Sequence, residues 1–265
     1  MKWFCLLFAG ASLFSCKKFI EYSPNEVRFD ASQKNLNEKN IARLEIAPES
    51  NSFRFAVIGD TQRFYDELDV FVSNINERND ISFVVINGDI TDFGQAKEFE
   101  WINRVLKKLK VPYVAVIGNH DILANGRVAF QQMFGPENFS FSYNNTKFIC
   151  INSCSREYGF NGKVPDLNWL QSHLSNLDDY SSAFVISHVP PFHEDFDQSL
   201  SERYNKLLVQ TGKVHLSIHG HTHEYSATWP YGPQVEYLVV ASTLKRQYDV
   251  ITVTNDKYET QRVEF

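Results

Sequence analysis

The stretch Tyr113-Val114-Ala115-Val116-Ile117-Gly118-Asn119-His120-Asp121 decides the fold. An apolar, largely β-branched run ends on a glycine and then offers an amide, an imidazole and a carboxylate in succession. A run without alternation reads as a strand buried on both faces. Gly118 is expected to let the backbone turn sharply where that strand stops. Three polar groups of different chemistry are thereby delivered to one edge of a sheet.

Outward from this stretch the pattern repeats. Phe53–Ile58 leads into Gly59-Asp60-Thr61-Gln62, and Ile81–Ile86 into Asn87-Gly88-Asp89. Ala183–Ile186 leads into Ser187-His188, and Val214–Ile218 into His219-Gly220-His221-Thr222-His223. Between strands, apolar residues recur at helical spacing: Leu68, Phe71, Val72 and Ile75, then Phe99, Ile102, Val105, Leu106 and Leu109. A short helix is expected over Val128–Phe134, and a hairpin of Phe139–Tyr143 with Lys147–Ile151 around Asn144-Asn145. Pro165-Asp166 opens a helix carrying Leu167, Leu170, Leu174 and Leu177, and another passes through Leu200, Tyr204, Leu207 and Leu208. Val235–Ala241 and Tyr248–Val253 are expected to close the chain as strands. Such alternation predicts one α/β domain over residues 53–265. In open α/β sheets the carboxyl ends of strands line one crevice, so side chains far apart in sequence can converge.

At 265 residues, 43% hydrophobic and 22% charged, the chain has the length and composition of a globular domain. A net charge of -6 lacks the basic footprint of a nucleic-acid binder, and no such partner is expected. Residues 1–15 are different material. Lys2 precedes an apolar run from Trp3 to Phe14, too short to span a bilayer and of signal-peptide length. Leu13-Phe14-Ser15-Cys16 resembles a bacterial lipobox, which would make Cys16 the lipidated first residue of an exported, membrane-anchored lipoprotein. Phe14 departs from the small residue usual at its position, and an ordinary cleaved signal is the alternative. Residues 16–52, polar and asparagine-rich, read either as a tether or, through Leu36, Ile41, Leu44 and Ile46, as an extra element packed on the domain. Of the remaining cysteines, Cys150 and Cys154 are expected to stay unpaired, since four extended residues separate α-carbons by about 13 Å.

The five strand ends gather aspartates, an asparagine and histidines, with no thiol. Hard oxygen and imidazole donors suit Mn, Fe, Zn, Ni or Mg. The donors are too many for one tetrahedral ion, and a carboxylate can bridge two ions about 3.5–4 Å apart. In this order, Asp60, Gly88-Asp89, Gly118-Asn119-His120-Asp121, His188 and Gly220-His221-Thr222-His223 resemble the calcineurin-like metallophosphoesterase family. The resemblance implies an αββα sandwich, with two mixed sheets flanked by helices, that hydrolyses phosphate mono- or diesters at two divalent metal ions. By that resemblance Asp60 and His223 bind the first ion and Asp89 bridges both. Asn119, His188 and His221 bind the second, and Asn119 with His120 faces substrate. The attacking group would be a hydroxide shared by the ions, with His120 as general acid and Asp121 orienting its imidazole.

Gln62 departs from the pattern, standing where most of the family has a metal-binding histidine. Coordination through its carbonyl, contact through water, and no contact all stay open, so the first ion is expected to be the more weakly held. Of the other histidines, His173 and His215 read as surface, while His219 and His193 read as neighbours of the site or as bystanders. Arg63 could meet a phosphate or be a solvated cation. Tyr158, Phe160, Phe192, Phe196, Trp229 and Tyr231 could rim a pocket or pack under loops. No long insertion suggests a cap, so an open cleft for a small-molecule or lipid phosphoester is expected. A metal-binding pseudoenzyme and a structural envelope lipoprotein are the rival readings; Gln62 supports the first and His120 argues against it. Oligomeric state is not legible.

Overall fold

The computed structural model describes residues 26–45, 50 and 52–265. The apolar leader, Cys16 and Ile46 lie outside the described residues. Among the described residues no helix is long and apolar enough to cross a membrane.

The chain begins with α1 (Leu36–Leu44), β1 (Ser52–Ile58), α2 (Tyr65–Glu77), β2 (Phe83–Asn87), α3 (Ala96–Leu106) and β3 (Tyr113–Val116). It continues through α4 (Gly126–Met133), β4 (Phe139–Tyr143), β5 (Thr146–Cys150), α5 (Leu167–Leu174), β6 (Ser182–Ile186) and α6 (Gln198–Gln210). It ends with β7 (Val214–His219), β8 (Ser226–Thr228), β9 (Glu236–Val239), β10 (Gln247–Thr254) and β11 (Lys257–Glu264). One sheet runs β11-β10-β1-β2-β3 and the other β4-β5-β6-β7-β9-β8. Both are mixed: β1, β2 and β3 are parallel, as are β5, β6, β7 and β9, while β10, β11, β4 and β8 run antiparallel to their neighbours.

Alternation within each apolar strand sorts its side chains between two layers. Phe55 and Val57 face inward, with Phe83, Val85, Phe148, Phe184 and Leu216, between the sheets. Ala56 and Ile58 face outward, beneath Phe71 of α2, Phe99 of α3 and Phe130 of α4. On the far side, Val185 and Tyr237 lie beneath Leu170 of α5 and Tyr204 of α6. Helices over sheet over sheet over helices is the αββα sandwich that the resemblance implied. One carboxyl interrupts the inner layer. Asp249 on β10 pairs with Val57 and is 1% exposed, and its Oδ1 has no hydrogen-bond partner. Burial pushes its pKa up to about 7, against the pull of Arg262.

Of the two readings of residues 16–52, the described part follows the second, with α1 packed on the domain as an extra element. Phe29, Leu36 and Leu44 are core residues, and the Asn37 side chain pairs with both backbone groups of Ala115 at the free edge of β3. Several expectations need correction. Tyr248–Val253 is not the last strand. β11 follows through a turn at Asn255, and its largely exposed face lacks the apolar alternation that would betray it. β8 was missed for the same reason. The helix opened by Asp166 stops at Leu174, with Leu177 buried just beyond it. Cys150 and Cys154 are buried and unpaired, as expected.

Candidate metal centre

The polar strand ends converge because the carboxyl ends of β1, β2 and β3 face those of β6 and β7 across the gap between sheets. Glycines set how closely. Gly118 has an ordinary φ, so the sharp turn expected of it is not its purpose. A Cβ there would lie 2.0 Å from the Asp89 nitrogen and 2.3 Å from Asp89 Oδ1. Gly88, at φ +79°, would put a Cβ 2.4 Å from His188 Nδ1. Asp60, Gln62, Asp89, His221 and His223 all have positive φ. Non-glycine residues seldom adopt that region, and they concentrate at functional sites when held there.

Two groups of ligand atoms result, Asp60-Asp89-His223 and Asp89-His188-His221, each with its atoms within 4.8 Å of one another. Asp89 belongs to both. His188 Nε2 lies 3.2 Å from Asp89 Oδ2 and 3.9 Å from Asp60 Oδ1, and His223 Nε2 lies 3.3 Å from Asp60 Oδ1. Asn119 Oδ1 joins the second group 2.9 Å from His221 Nδ1. His188 donates Nδ1–H to the Asn87 carbonyl at 2.8 Å, which leaves Nε2 as its free donor atom. His188 Nε2 and Asp60 Oδ1 are buried yet lack hydrogen-bond partners. Unsatisfied buried polar atoms are costly, and here they point at the same space, so the donor set fits divalent cations.

Electrostatics agree. Burial alone would raise the Asp89 pKa, but His188 holds it down to about 2. Burial likewise opposes charge on His188, but Asp89 and Asp60 push it up to about 10. Burial and His188 keep His221 neutral instead, lowering its pKa to about 4.

The structure gathers Asp60, Gln62, Asp89, Asn119, His188, His221 and His223, with His120 beside them. Gln62 presents its amide N–H to Asp89 Oδ2 at 3.3 Å. His120 receives the Asp89 carboxylate on its backbone N–H, and its Nδ1 is 2.7 Å from the Asp92 carbonyl. A carbonyl only accepts, so Nδ1 carries the proton and Nε2 remains for exchange.

Asp121 does not orient that imidazole. Its carboxylate accepts from the backbone N–H groups of Gly118, Ile90 and Thr91 and from the Thr91 hydroxyl, bracing the loop after β2 against the loop after β3. Burial and Asp89 raise its pKa to about 7.

His219 is fully buried between the Ser187 and Ser217 hydroxyls and stacks on Tyr237, on the α6 side of its sheet. His173 stacks on Trp169, and Arg63 pairs with Asp92 at 3.5 Å. Of the aromatic residues, Phe196 is core, Tyr158 bonds Glu137 and Tyr231 packs on Tyr237, whereas Phe160, Phe192 and Trp229 are exposed.

Sequence reasoning missed Asp195. It follows no motif, and its loop is rich in acids, yet its Oδ2 lies 3.0 Å from His221 Nε2. His193 completes a third group with these two.

Comparison with known proteins places these features. The family model described as Calcineurin-like phosphoesterase matches residues 53–225. A Coxiella burnetii protein described as a "Probable cyclic nucleotide phosphodiesterase" is 26% identical over 174 residues, covering 61% of this chain and 67% of the relative. A "Probable glycerophosphodiester phosphodiesterase" of Arcobacter nitrofigilis is 28% identical over 169 residues, covering 59% and 61%. The chain thus spans about two thirds of these relatives. In fold it is similar to a dimetal phosphatase from Danio rerio, with a TM-score of 0.64 at 15% identity, covering 80% of this chain and 97% of that one.

Proposed function

The chain belongs to the calcineurin-like phosphoesterase family of phosphoric ester hydrolases, and from that premise we propose that it cleaves a small-molecule phosphodiester at two divalent ions. The observation that carries this reading is Asp89, one carboxylate shared by two ligand groups. The diester preference is taken from the two curated relatives, both described as phosphodiesterases.

Asp60 and His223 would hold the first ion and Asn119, His188 and His221 the second, with Asp89 between. Bound there, divalent ions supply an activated water near neutral pH and neutralise the phosphate oxygens. His120, held through Nδ1–H on the Asp92 carbonyl, would act with Nε2 protonated as well, passing that second proton to the leaving oxygen and ending as the neutral Nδ1–H imidazole, because an alkoxide departs poorly unprotonated. Asn119 lies beside it, facing substrate.

Gln62 makes the first ion the weaker bound. An amide oxygen is a poorer donor than imidazole and suits harder metals, manganese or magnesium, and a half-turn of the side-chain amide would offer it. Two tightly held ions per purified chain would contradict this.

The leader and Leu13-Phe14-Ser15-Cys16 support an exported protein anchored to the envelope by lipid on Cys16. Two or more acyl chains would give durable anchoring. Mass spectrometry of membrane-extracted protein would detect the diacyl modification, and an unmodified, soluble mature chain would refute it.

The decisive experiment makes protein starting after Cys16 metal-free and returns Mn²⁺, Zn²⁺, Ni²⁺ or Mg²⁺ singly. Turnover of bis(p-nitrophenyl) phosphate above p-nitrophenyl phosphate, lost in Asp89→Asn, is expected. Preference for the monoester would overturn the diester assignment. Turnover surviving in Asp89→Asn would overturn the site.

A further inference from the structure

We propose that Asp195, itself held by Arg156, is a positioning residue that fixes the tautomer of His221 so that Nδ1 is bare toward Asn119. The proposal rests on the two-ion reading above. Asp195 is 7% exposed and lies in the loop after His188, outside the ligand groups assigned to the ions. Its Oδ2 is 3.0 Å from His221 Nε2, and its Oδ1 is 2.6 Å from an Arg156 guanidinium nitrogen. The Arg156 backbone N–H also donates to the Asp195 carbonyl at 3.2 Å.

An ionised carboxylate can only accept, so the contact with Asp195 requires the His221 proton on Nε2. A neutral imidazole has one N–H, and Nδ1 is then a lone pair. That lone pair lies 2.9 Å from Asn119 Oδ1, itself an acceptor. Two acceptors facing each other repel unless a cation joins them. Asp195 thus presets His221 as a donor before any ion arrives, and removes the competing tautomer in which Nδ1–H would bond Asn119 and block the place. Metal-ligating histidines commonly rely on such an outer carboxylate, whose loss costs about 10–100-fold in affinity.

Arg156 gives the relay its direction. Its guanidinium forms an ion pair with Oδ1, the oxygen not used by His221, and its backbone N–H ties down the Asp195 carbonyl. The same cation makes the His193-Asp195-His221 group a poor place for a third ion, although its donor atoms are close enough. The relay also links the turn after β5, which carries Arg156, to the loops after β6 and β7. All three belong to one sheet, so the second-ion ligands on that sheet are positioned together.

The test uses the full mature chain, metal-free, titrated calorimetrically with Mn²⁺ and separately Zn²⁺, alongside nitrogen-resolved NMR of the histidine rings. Wild type is expected to show two binding steps and an Nε2–H tautomer at His221. Asp195→Ala is expected to weaken one step about 10–100-fold, to leave the other within about threefold, and to admit the Nδ1–H tautomer. A generic packing role would lower thermal stability without splitting the two steps.

Arg156→Gln changes a half-exposed side chain and guards against misfolding of the buried variant. It is expected to weaken the same step by a smaller factor. Two wild-type affinities with an unchanged tautomer in Asp195→Ala overturn the proposal. So does unchanged binding in Arg156→Gln if Asp195→Ala does not fold. A third bound ion lost with Asp195 would replace positioning by ligation. Failure of wild type to bind any ion would sink the two-ion reading instead, while the tautomer measurement still decides the role of Asp195.

Discussion

Gly118→Ala tests whether close approach, and not backbone freedom, is what the glycine after β3 provides. The added Cβ would sit 2.0 Å from the Asp89 nitrogen, where ordinary contact begins at 3.4 Å, so the Asp89 backbone has to retreat by about 1.4 Å. It cannot do so freely. Gly88 O accepts from Asp60 N–H, Asp89 O accepts from Gln62 N–H, and Asp89 Oδ1 is held by His120 N–H. Overpacking of a dense region costs about 1–3 kcal/mol, and a backbone obstacle places this variant near about 3 kcal/mol. For a chain of this size that lowers Tm by about 6–12 °C. Because Asp89 serves both ligand groups, a shift on the order of 1 Å is also expected to cost at least about 100-fold in turnover. Thermal melts, metal analysis and bis(p-nitrophenyl) phosphate hydrolysis would be compared with Gly59→Ala, whose Cβ meets its neighbours at 3.2 Å and needs only small adjustments. Wild-type Tm, metal content and turnover in Gly118→Ala would refute the reasoning.

Three further outcomes are expected. Asn119→Ala should lower the affinity of one ion while leaving a single ion bound, read by mass spectrometry under native conditions; loss of both ions would argue against separate groups. His188, raised to about 10 in the folded metal-free chain from an ordinary 6.5, contributes stability that is complete below about pH 6.5 and lost as pH rises toward 10. Melts of metal-free protein between pH 6 and 10 should fall accordingly, a loss that His188→Gln should lack, and a flat profile in wild type would count against the ion pair with Asp89. Asp249, raised to about 7 by burial, carries a penalty absent below its unfolded value near 3.8 and complete above about pH 7. Asp249→Asn should therefore gain roughly 1–3 kcal/mol at pH 8 and nothing near pH 4, and equal melting shifts at both pH values would disprove it.

The sequence was most readable where burial forces simple patterns. Each strand that feeds the centre is sealed between a helix layer and the opposing sheet, so it reads as an apolar run with polar residues at its end. Elements with one wet face left weaker traces. β11 is mostly exposed, and α1 earns its place through an asparagine, Asn37, that pairs with the edge of β3 in the manner of a short strand. Asp121 shows the opposite failure, since adjacency to His120 in sequence suggested contact while the chain turns its carboxylate toward backbone N–H groups. Asp195 was invisible because only the fold brings it 26 residues back to His221. The Asn255-Asp256 pair after β10 was a usable hairpin signal that a search for apolar alternation passes over.

The proposed ligands are divided between the two sheets: Asp60, Asp89 and Asn119 follow strands of one, while His188, His221 and His223 follow strands of the other. The width of the centre is therefore a property of the interior beneath it. There Phe55 meets Phe148 at 5.3 Å and Phe184 at 5.6 Å, and Phe83 meets Phe141 at 5.7 Å, ring edge against ring face across the gap. These rings act as a spacer of fixed thickness. Trimming one, as in Phe148→Leu, would let the sheets settle closer and change which ion radius the centre prefers, with no ligand altered. Metal preference within this architecture can thus be tuned from below, by residues that never touch an ion.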